Sequence, residues 1–495
     1  MPSWAGKPIV RELAVAWGHL SVLWAFAIVQ PLLEVLGDSP EFFVARGNTR
    51  ADILALAFGL TLVPPTVLVA VELLVWPSRR LRWGTHLLFV GVLSAAIFLQ
   101  ALEDAGANGA AGLLIGLALA AGAAAALLYA RSRGVRTFAT VLIPAPAVFV
   151  AIFLLVSPVS ELVLPQDEVS AVAGGGGNDA PVVMLLFDEL SGGSLLDRSL
   201  RIDAERYPGF AELAGGSTWY RNATGVDFST ERAVPAVLTG TLPSGDSLPI
   251  ASDHPRNLFT LLGWRYDLDV QEPATELCPE SLCGERARKE SGERLGSLLD
   301  DLSVVSLHML APAAMEDDLP AVDTTFEGFR GPGDRPATAG ARDGVPASAF
   351  ADRPAQVTRF LRRIDARGSR PALDFLHVAF PHWPWQYLPS GQQYPSDTTR
   401  IPGLDGSTWQ RDPFPVEQGY QRYLLQLEYV DRLVQRLIAR LRGEGLWDRA
   451  LVVVAADHGV SFRPGQPRRV TKKANLADIA SVPLFVKAPG QETGR

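Results

Sequence analysis

Long apolar runs crowd the first third of the chain, and beyond it apolar residues return only as short runs or as single positions at helical spacing. A bilayer core takes about 20 mostly apolar residues per helix. Five stretches meet that requirement: Leu13–Leu36, Asp52–Trp76, His86–Leu102, Ala110–Ala130 and Phe138–Val159. Their succession, with short polar loops between, predicts a five-span helical membrane domain over residues 1–159 rather than a run of buried soluble helices. No small-residue cleavage site follows the first stretch, so it is expected to remain as a span and not to leave as a signal peptide. Pro64, Pro65, Pro144 and Pro146 are expected to kink their helices.

Loop charges give these spans a direction. Lys7 and Arg11 precede the first; Arg79, Arg80 and Arg82 lie between the second and third; Arg131, Arg133 and Arg136 lie between the fourth and fifth. The alternate loops are balanced (Asp38, Glu41, Arg46, Arg50) or acidic (Glu103, Asp104). By the positive-inside rule the N-terminus is cytoplasmic, the protein is a multi-pass plasma-membrane protein, and everything after the fifth span is extracytoplasmic. Glu72 sits near the inner end of the second span, where an acid is either functional or paired with the neighbouring Arg cluster.

Residues 160–180 carry Gly174–Gly177 and predict a flexible linker. From residue 181 the pattern changes. Val182–Phe187, Leu373–Phe380 and Leu451–Ala456 read as strands buried on both faces, and Tyr423, Leu427, Val430, Val434, Leu437 and Leu441 form one apolar helix face ended by Gly443 and Gly445. A helix feeding a doubly buried strand predicts an α/β domain over 181–495 with a mainly parallel sheet. In such sheets ligands bind beyond the carboxyl ends of the strands. There the sequence places Asp188 with Glu189, His382 in Pro381-His382-Trp383-Pro384, and Asp457-His458-Gly459. Singly, an Asp after a strand is often a helix cap and a lone His is often structural. Together they suit one divalent metal ion, Mn, Zn or Mg, with one position left for a substrate oxygen.

The net charge of −8 argues against a nucleic-acid binder, and no basic cluster in the second half overturns this. The skew of basic residues to Arg says little about chemistry. Cys278 and Cys283 are the only cysteines. No second pair or nearby His completes a zinc site, and an extracytoplasmic segment favours a disulfide between them.

With Leu185–Leu190, Phe228–Gly240, Pro381-His382-Trp383-Pro384 and Asp457-His458-Gly459 in this order, the region from Pro181 to about Gly490 resembles the alkaline phosphatase/sulfatase superfamily. Within it the nearest pattern is that of the membrane-anchored phosphoglycerol and phosphoethanolamine transferases, lipoteichoic-acid synthases among them. The resemblance implies Asp188, Asp457 and His458 as metal ligands. It implies Thr230, ten residues before Gly240, as nucleophile and further ligand, and His382 as a group that contacts substrate or protonates the leaving group. Read from the sequence alone, an ordinary helix N-cap is the lesser alternative for Thr230, and Ser229 is the neighbouring candidate for the nucleophile. Trp383, Trp385 and Tyr387 either stack on a sugar, with Trp383 the substrate-binding candidate, or rest at the membrane interface, or equally pack the fold. Familiar sulfatases carry a Cys or Ser, followed two residues later by Pro and then Ser-Arg, for conversion to formylglycine. Thr230-Glu231-Arg232 departs from that pattern, so phospho-ester transfer or hydrolysis is expected ahead of sulfuric-ester hydrolysis, with a catalytically silent scaffold as a third possibility. The expected partners are membrane lipids or a lipid-linked envelope polymer. Members of the family usually continue beyond the position of Arg495, so the sequence is expected to be a piece of a longer one.

Overall fold

A computed structural model describes residues 7–312 apart from 76–77, 108, 166–167, 173–178, 246 and 285–290, and then residues 314–315, 319, 353–365, 370–394 and 401–495. Gly174–Gly177 of the expected linker lie outside the described residues. The chain divides into two units, one of residues 1–43, 48–166 and 290–331, the other of residues 44–47, 167–289 and 332–495.

Among the described residues, the first unit holds five helices long and apolar enough to cross a membrane: Arg11–Gly37, Arg50–Leu74, Arg80–Asp104, Ala111–Arg131 and Arg133–Leu155. Thr49 caps the second through a reciprocal bond pair with Asp52. Pro64 and Pro65 lie inside that uninterrupted helix, whereas the fifth breaks before Pro144 and resumes at Ala145. The third helix starts well before His86, which places that residue inside the bundle, 3% exposed. One segment of the expected 181–495 domain belongs to this unit. The helix Ser291–Leu310 buries Leu298, Leu302 and Val304 among Leu32, Leu36, Phe43, Ile53 and Leu56, and Arg294 Nε lies 2.8 Å from Asp52 Oδ2. Its apolar face and its one paired cation find their complements there, which a boundary drawn from hydropathy does not register.

The second unit is built on a six-stranded sheet. Its strands are β1 (Val182–Asp188), β2 (Thr218–Trp219), β3 (Asp267–Gln271), β4 (Ala372–Pro381), β7 (Leu451–Ala456) and β8 (Leu484–Lys487), in the order β2-β8-β7-β1-β4-β3; β5 (Leu404–Asp405) and β6 (Thr408–Trp409) pair separately. The pairs β7–β1, β1–β4 and β4–β3 are parallel, and β8 runs antiparallel to β7. Val182 pairs with Leu373 on one side and Leu451 on the other, so the three predicted strands are adjacent and in step at the centre of the sheet.

Alternation along β1 assigns the two faces. Val183, Leu185 and Phe187 join the core under the long helix Pro413–Gly443, with Tyr423, Leu427, Val430, Val434, Leu437 and Leu441 all buried there. Val182, Met184 and Leu186 pack on the other face with Val234 and Leu238 of the helix Thr230–Thr239. Asp412 accepts from Phe414 N and Pro413 follows at the first turn, so the long helix begins where its sequence permits. The two cysteines are joined as a disulfide.

Candidate active site

Parallel β1, β4 and β7 end at the same edge, and each ends in a polar residue. Asp188 closes β1, His382 follows β4, and Asp457-His458 follow β7. Gly459 lets this turn pass close to a neighbouring segment: a Cβ there would stand 2.4 Å from Asp478 O and 3.0 Å from Ile479 O. The Gly of Asp-His-Gly is therefore a packing requirement that holds the two preceding side chains in place.

Asp188, Asp457 and His458 converge as expected. One ligand atom from each lies within 4.8 Å of the others, and all three residues are buried. His458 Nδ1 donates to Gly459 O at 3.0 Å, which leaves Nε2 as a lone pair, 3.7 Å from both Asp188 Oδ1 and Asp457 Oδ2. Those two carboxylate oxygens have no hydrogen-bond partner although they are fully buried. Burial, then repulsion from Asp457 and Glu189, pushes the Asp188 carboxyl well above its ordinary range. Burial also lowers His458, which keeps its imidazole neutral. Two buried carboxylates with orphaned oxygens and a neutral imidazole lone pair form a donor set that fits a divalent cation.

Thr230 is the first residue of its helix, and Ser229 occupies the cap position. The Thr230 hydroxyl is thus free of a capping role. It is buried, with Oγ1 3.4 Å from His458 Nε2. Ser229 Oγ is buried without a partner. Asp227 shapes the approach by accepting from Phe228 N, Ser229 N and Arg232 Nε.

His382 Nδ1 lies against Trp383 O at 2.5 Å, and its Nε2 is 3.4 Å from Arg469 Nη1. Burial, reinforced by nearby arginines, lowers its pKa to about 3, so the ring is neutral at pH 7. The loop around it is held from below: Arg353 donates to Ala379 O and His382 O, and Gln426 donates to Pro381 O and His382 O. The aromatic group divides. Trp385 is fully buried, stacked on Trp409 and edge-on to Tyr423, and Tyr387 is buried against Tyr429. These two are core; Trp383 is half-buried at the site.

Arg468, Arg469 and His377 escaped the sequence reading as functional groups. Glu189, at φ 62°, binds Arg468 Nη1 through its carboxylate at 2.6 Å to Oε2 and lies 3.4 Å from Arg469 Nε. Arg469 in turn places Nη2 3.0 Å from His458 Nε2 and 3.2 Å from Phe228 O. Although burial opposes its charge, Glu189 and Asp188 keep Arg469 a cation. The available signal was the adjacent Arg468-Arg469 pair shortly after Asp-His-Gly. A further buried residue, His377 on β4, has both ring nitrogens unpartnered and Nε2 3.8 Å from Asp457 Oδ2.

Residues 323–494 match the family model described as sulfatase. That span includes His382, Asp457 and His458 and stops short of Asp188 and Thr230. No curated protein matches the chain. Among solved structures, the chain is similar to the phosphonate monoester hydrolase SpPMH from Silicibacter pomeroyi, at 17% identity over 64% of this chain and 69% of that one, TM-score 0.39. It is also similar to BT1596, a 2-O GAG sulfatase, at 12% identity over 64% of this chain and 65% of that one, TM-score 0.34. The lipoteichoic acid synthase LtaP from Listeria monocytogenes matches at 15% identity over 64% of this chain and 67% of that one, TM-score 0.32. Among the described residues the chain combines five long apolar helices with a mostly parallel sheet, and the sulfatase model matches residues 323–494 of the unit that holds the sheet.

Proposed function

We propose that the second unit is a metal-dependent phospho-ester transferase or hydrolase that acts at the outer face of the membrane, on a lipid-linked substrate, with Thr230 as nucleophile. The observation that carries this reading is the position of Thr230 Oγ1. It is buried at the head of a ten-residue helix, 3.4 Å from His458 Nε2 and beside the Asp188, Asp457 and His458 group. A divalent cation held by those three residues would supply a Lewis acid next to the hydroxyl.

Thr230 Oγ forms a bond to phosphorus as the bond from phosphorus to the leaving alcohol breaks. The proton lost by Thr230 balances the proton gained by that alcohol. Water or an acceptor alcohol then attacks the same phosphorus and returns Thr230 to its free form. Arg469 offers a charged guanidinium to the phosphoryl oxygens, and the positive end of the Thr230–Thr239 helix adds to it. Glu189, itself paired with Arg468, holds that guanidinium in place. His382, being neutral, orients Arg469 and offers a lone pair rather than a spare proton. The five apolar helices support the lipid assignment, since a tethered enzyme meets esters carried in the same membrane.

A sulfuric-ester hydrolase is the second reading, favoured by the family match over residues 323–494. Thr230 weighs against it, because a Thr is not converted to formylglycine. A competition assay decides. The full chain in nanodiscs, loaded with Mn, Zn or Mg, is given a soluble phosphodiester, a sulfate ester and phospholipids of the same bilayer. Fastest turnover of the phospholipids is expected. Fastest cleavage of the sulfate ester overturns the phosphorus assignment, and equal turnover of the soluble diester overturns the lipid assignment.

A further inference from the structure

The first unit buries a connected chain of polar side chains that the proposed reaction does not use. Glu72 Oε1 is 2.8 Å from His86 Nδ1, and His86 Nε2 is 3.0 Å from the Tyr129 hydroxyl. Tyr129 is 2.7 Å from His19 Nδ1, and His19 Nε2 is 2.8 Å from Thr140 Oγ1. Thr140 is also 2.8 Å from the carbonyl of Arg136. Glu72, His86, Tyr129 and His19 are each 5% exposed or less, while Thr140 lies at the surface. The four buried residues come from four different long helices, and Thr140 from the fifth. The charged groups nearby are Arg136, which donates to Tyr129 O and Ala130 O, and the pair Arg82 with Glu12. Trp83 stacks on both His86 and Tyr129.

Counting donors along this chain gives two self-consistent states. In the first, Thr140 donates to the Arg136 carbonyl and accepts from His19 Nε2–H. His19 Nδ1 then accepts from Tyr129, whose oxygen accepts from His86 Nε2–H. One further proton lies between His86 Nδ1 and Glu72. In the second state that proton is gone and every bond reverses: Thr140 donates to His19 Nε2, His19 Nδ1–H to Tyr129, Tyr129 to His86 Nε2, and His86 Nδ1–H to the Glu72 carboxylate. All groups are satisfied in both states, and the two differ by one proton. No isolated structural hydrogen bond has this property; it requires an unbroken run of groups that each donate and accept.

From this we propose that the helical unit contains a proton-binding site, Glu72–His86–Tyr129–His19, which takes up a single proton and passes it between the two imidazoles through the Tyr129 hydroxyl. The proton rests on the Glu72 carboxyl and moves on by way of His86 Nδ1. When it moves on, His86 Nε2 gives its proton to Tyr129 as Tyr129 gives its own to His19 Nδ1, so no charge is created beyond the one carried in. The proposal is independent of what the sheet unit catalyses.

The test is infrared difference spectroscopy of the full chain in lipid nanodiscs between acid and alkaline buffers. In the wild type, a carboxyl band that is lost in Glu72→Gln should appear on acidification. The tyrosine and imidazole bands lost in Tyr129→Phe and His19→Gln should change at the same midpoint. In Tyr129→Phe the Glu72 and His19 bands should separate by about one pH unit or more, since interacting sites titrate as a pair only while they are coupled. The proposal is overturned if the Glu72 band does not respond to pH. It is equally overturned if the wild-type Glu72 and His19 bands have different midpoints, a readout that stands even where Tyr129→Phe does not fold. Unchanged midpoints in a folded Tyr129→Phe would show a static network and overturn it as well.

Discussion

The buried polar groups of the helical unit and those of the sheet unit are drawn from the same residue types and are finished differently. In the helical unit, Glu72, His86, Tyr129, His19 and Thr140 satisfy one another in a closed series. At the end of the sheet, Asp188 Oδ1, Asp457 Oδ2 and both nitrogens of His377 have no partner, and two carboxylates lie side by side. Burying a polar group without a partner costs roughly 1–3 kcal/mol, and more for a charge. The first cluster is complete and has room only for a proton. The second is incomplete in a way that a cation would complete, which is why the metal-dependent chemistry is assigned to the sheet unit.

The comparison breaks most directly at the two carboxylates. Asp188→Asn or Asp457→Asn should lower turnover by at least about a thousand-fold and remove bound metal, measured by metal analysis of the purified chain. Metal-free wild type should also show the strain. A carboxyl whose folded pKa is raised favours the fold as pH falls. Stability should therefore rise as pH drops from above the raised Asp188 value toward the ordinary Asp range, and that slope should vanish in Asp188→Asn. A flat profile in both would mean that the orphaned oxygens carry no strain.

Thr230→Ala comes next. Turnover should again fall by at least about a thousand-fold, but metal content should persist. Stability should change by no more than about 1 kcal/mol, because Ser229 and not Thr230 occupies the cap. Near-normal turnover would transfer the role to Ser229.

The Glu189–Arg468 pair sharpens the comparison from within the sheet unit, because it is a satisfied pair beside an unsatisfied group. Glu189→Gln should cost about 3–5 kcal/mol in denaturant unfolding by leaving Arg468 and Arg469 under-compensated, and the double variant with Arg468→Met should recover much of it. Although burial opposes its ionisation, Arg468 and its neighbours hold Glu189 down to about 2. Its contribution should therefore be present above the ordinary Glu range and be lost as pH falls from there toward 2.

Smallest is the disulfide. Native, unreduced protein should resist thiol labelling at Cys278 and Cys283, and replacing both by Ser should cost no more than about 2 kcal/mol, since the closed loop is short.

How much was legible follows from where each signal lies along the chain. The five apolar stretches, the three central strands and the apolar face from Tyr423 to Leu441 are local patterns of length and period, and the structure places them within a few residues of expectation. Asp188, Asp457 and His458 were legible because each stands at the end of such a strand, and parallel strands in step bring their ends together. The sequence alone therefore determined the elements, the sheet class and the convergence of Asp188, Asp457 and His458 at the strand ends. Tertiary structure decided what depends on distant partners. It made Trp385 and Tyr387 core, released Thr230 from capping, tied Glu189 to Arg468, and drew Ser291–Leu310 into the helical unit. It also connected Glu72 to His86 rather than to the nearby arginines. The physical reason is that burial and hydrogen bonding are properties of pairs, and residues 14 apart (Glu72 and His86) or 279 apart (Glu189 and Arg468) leave no periodic trace along the chain.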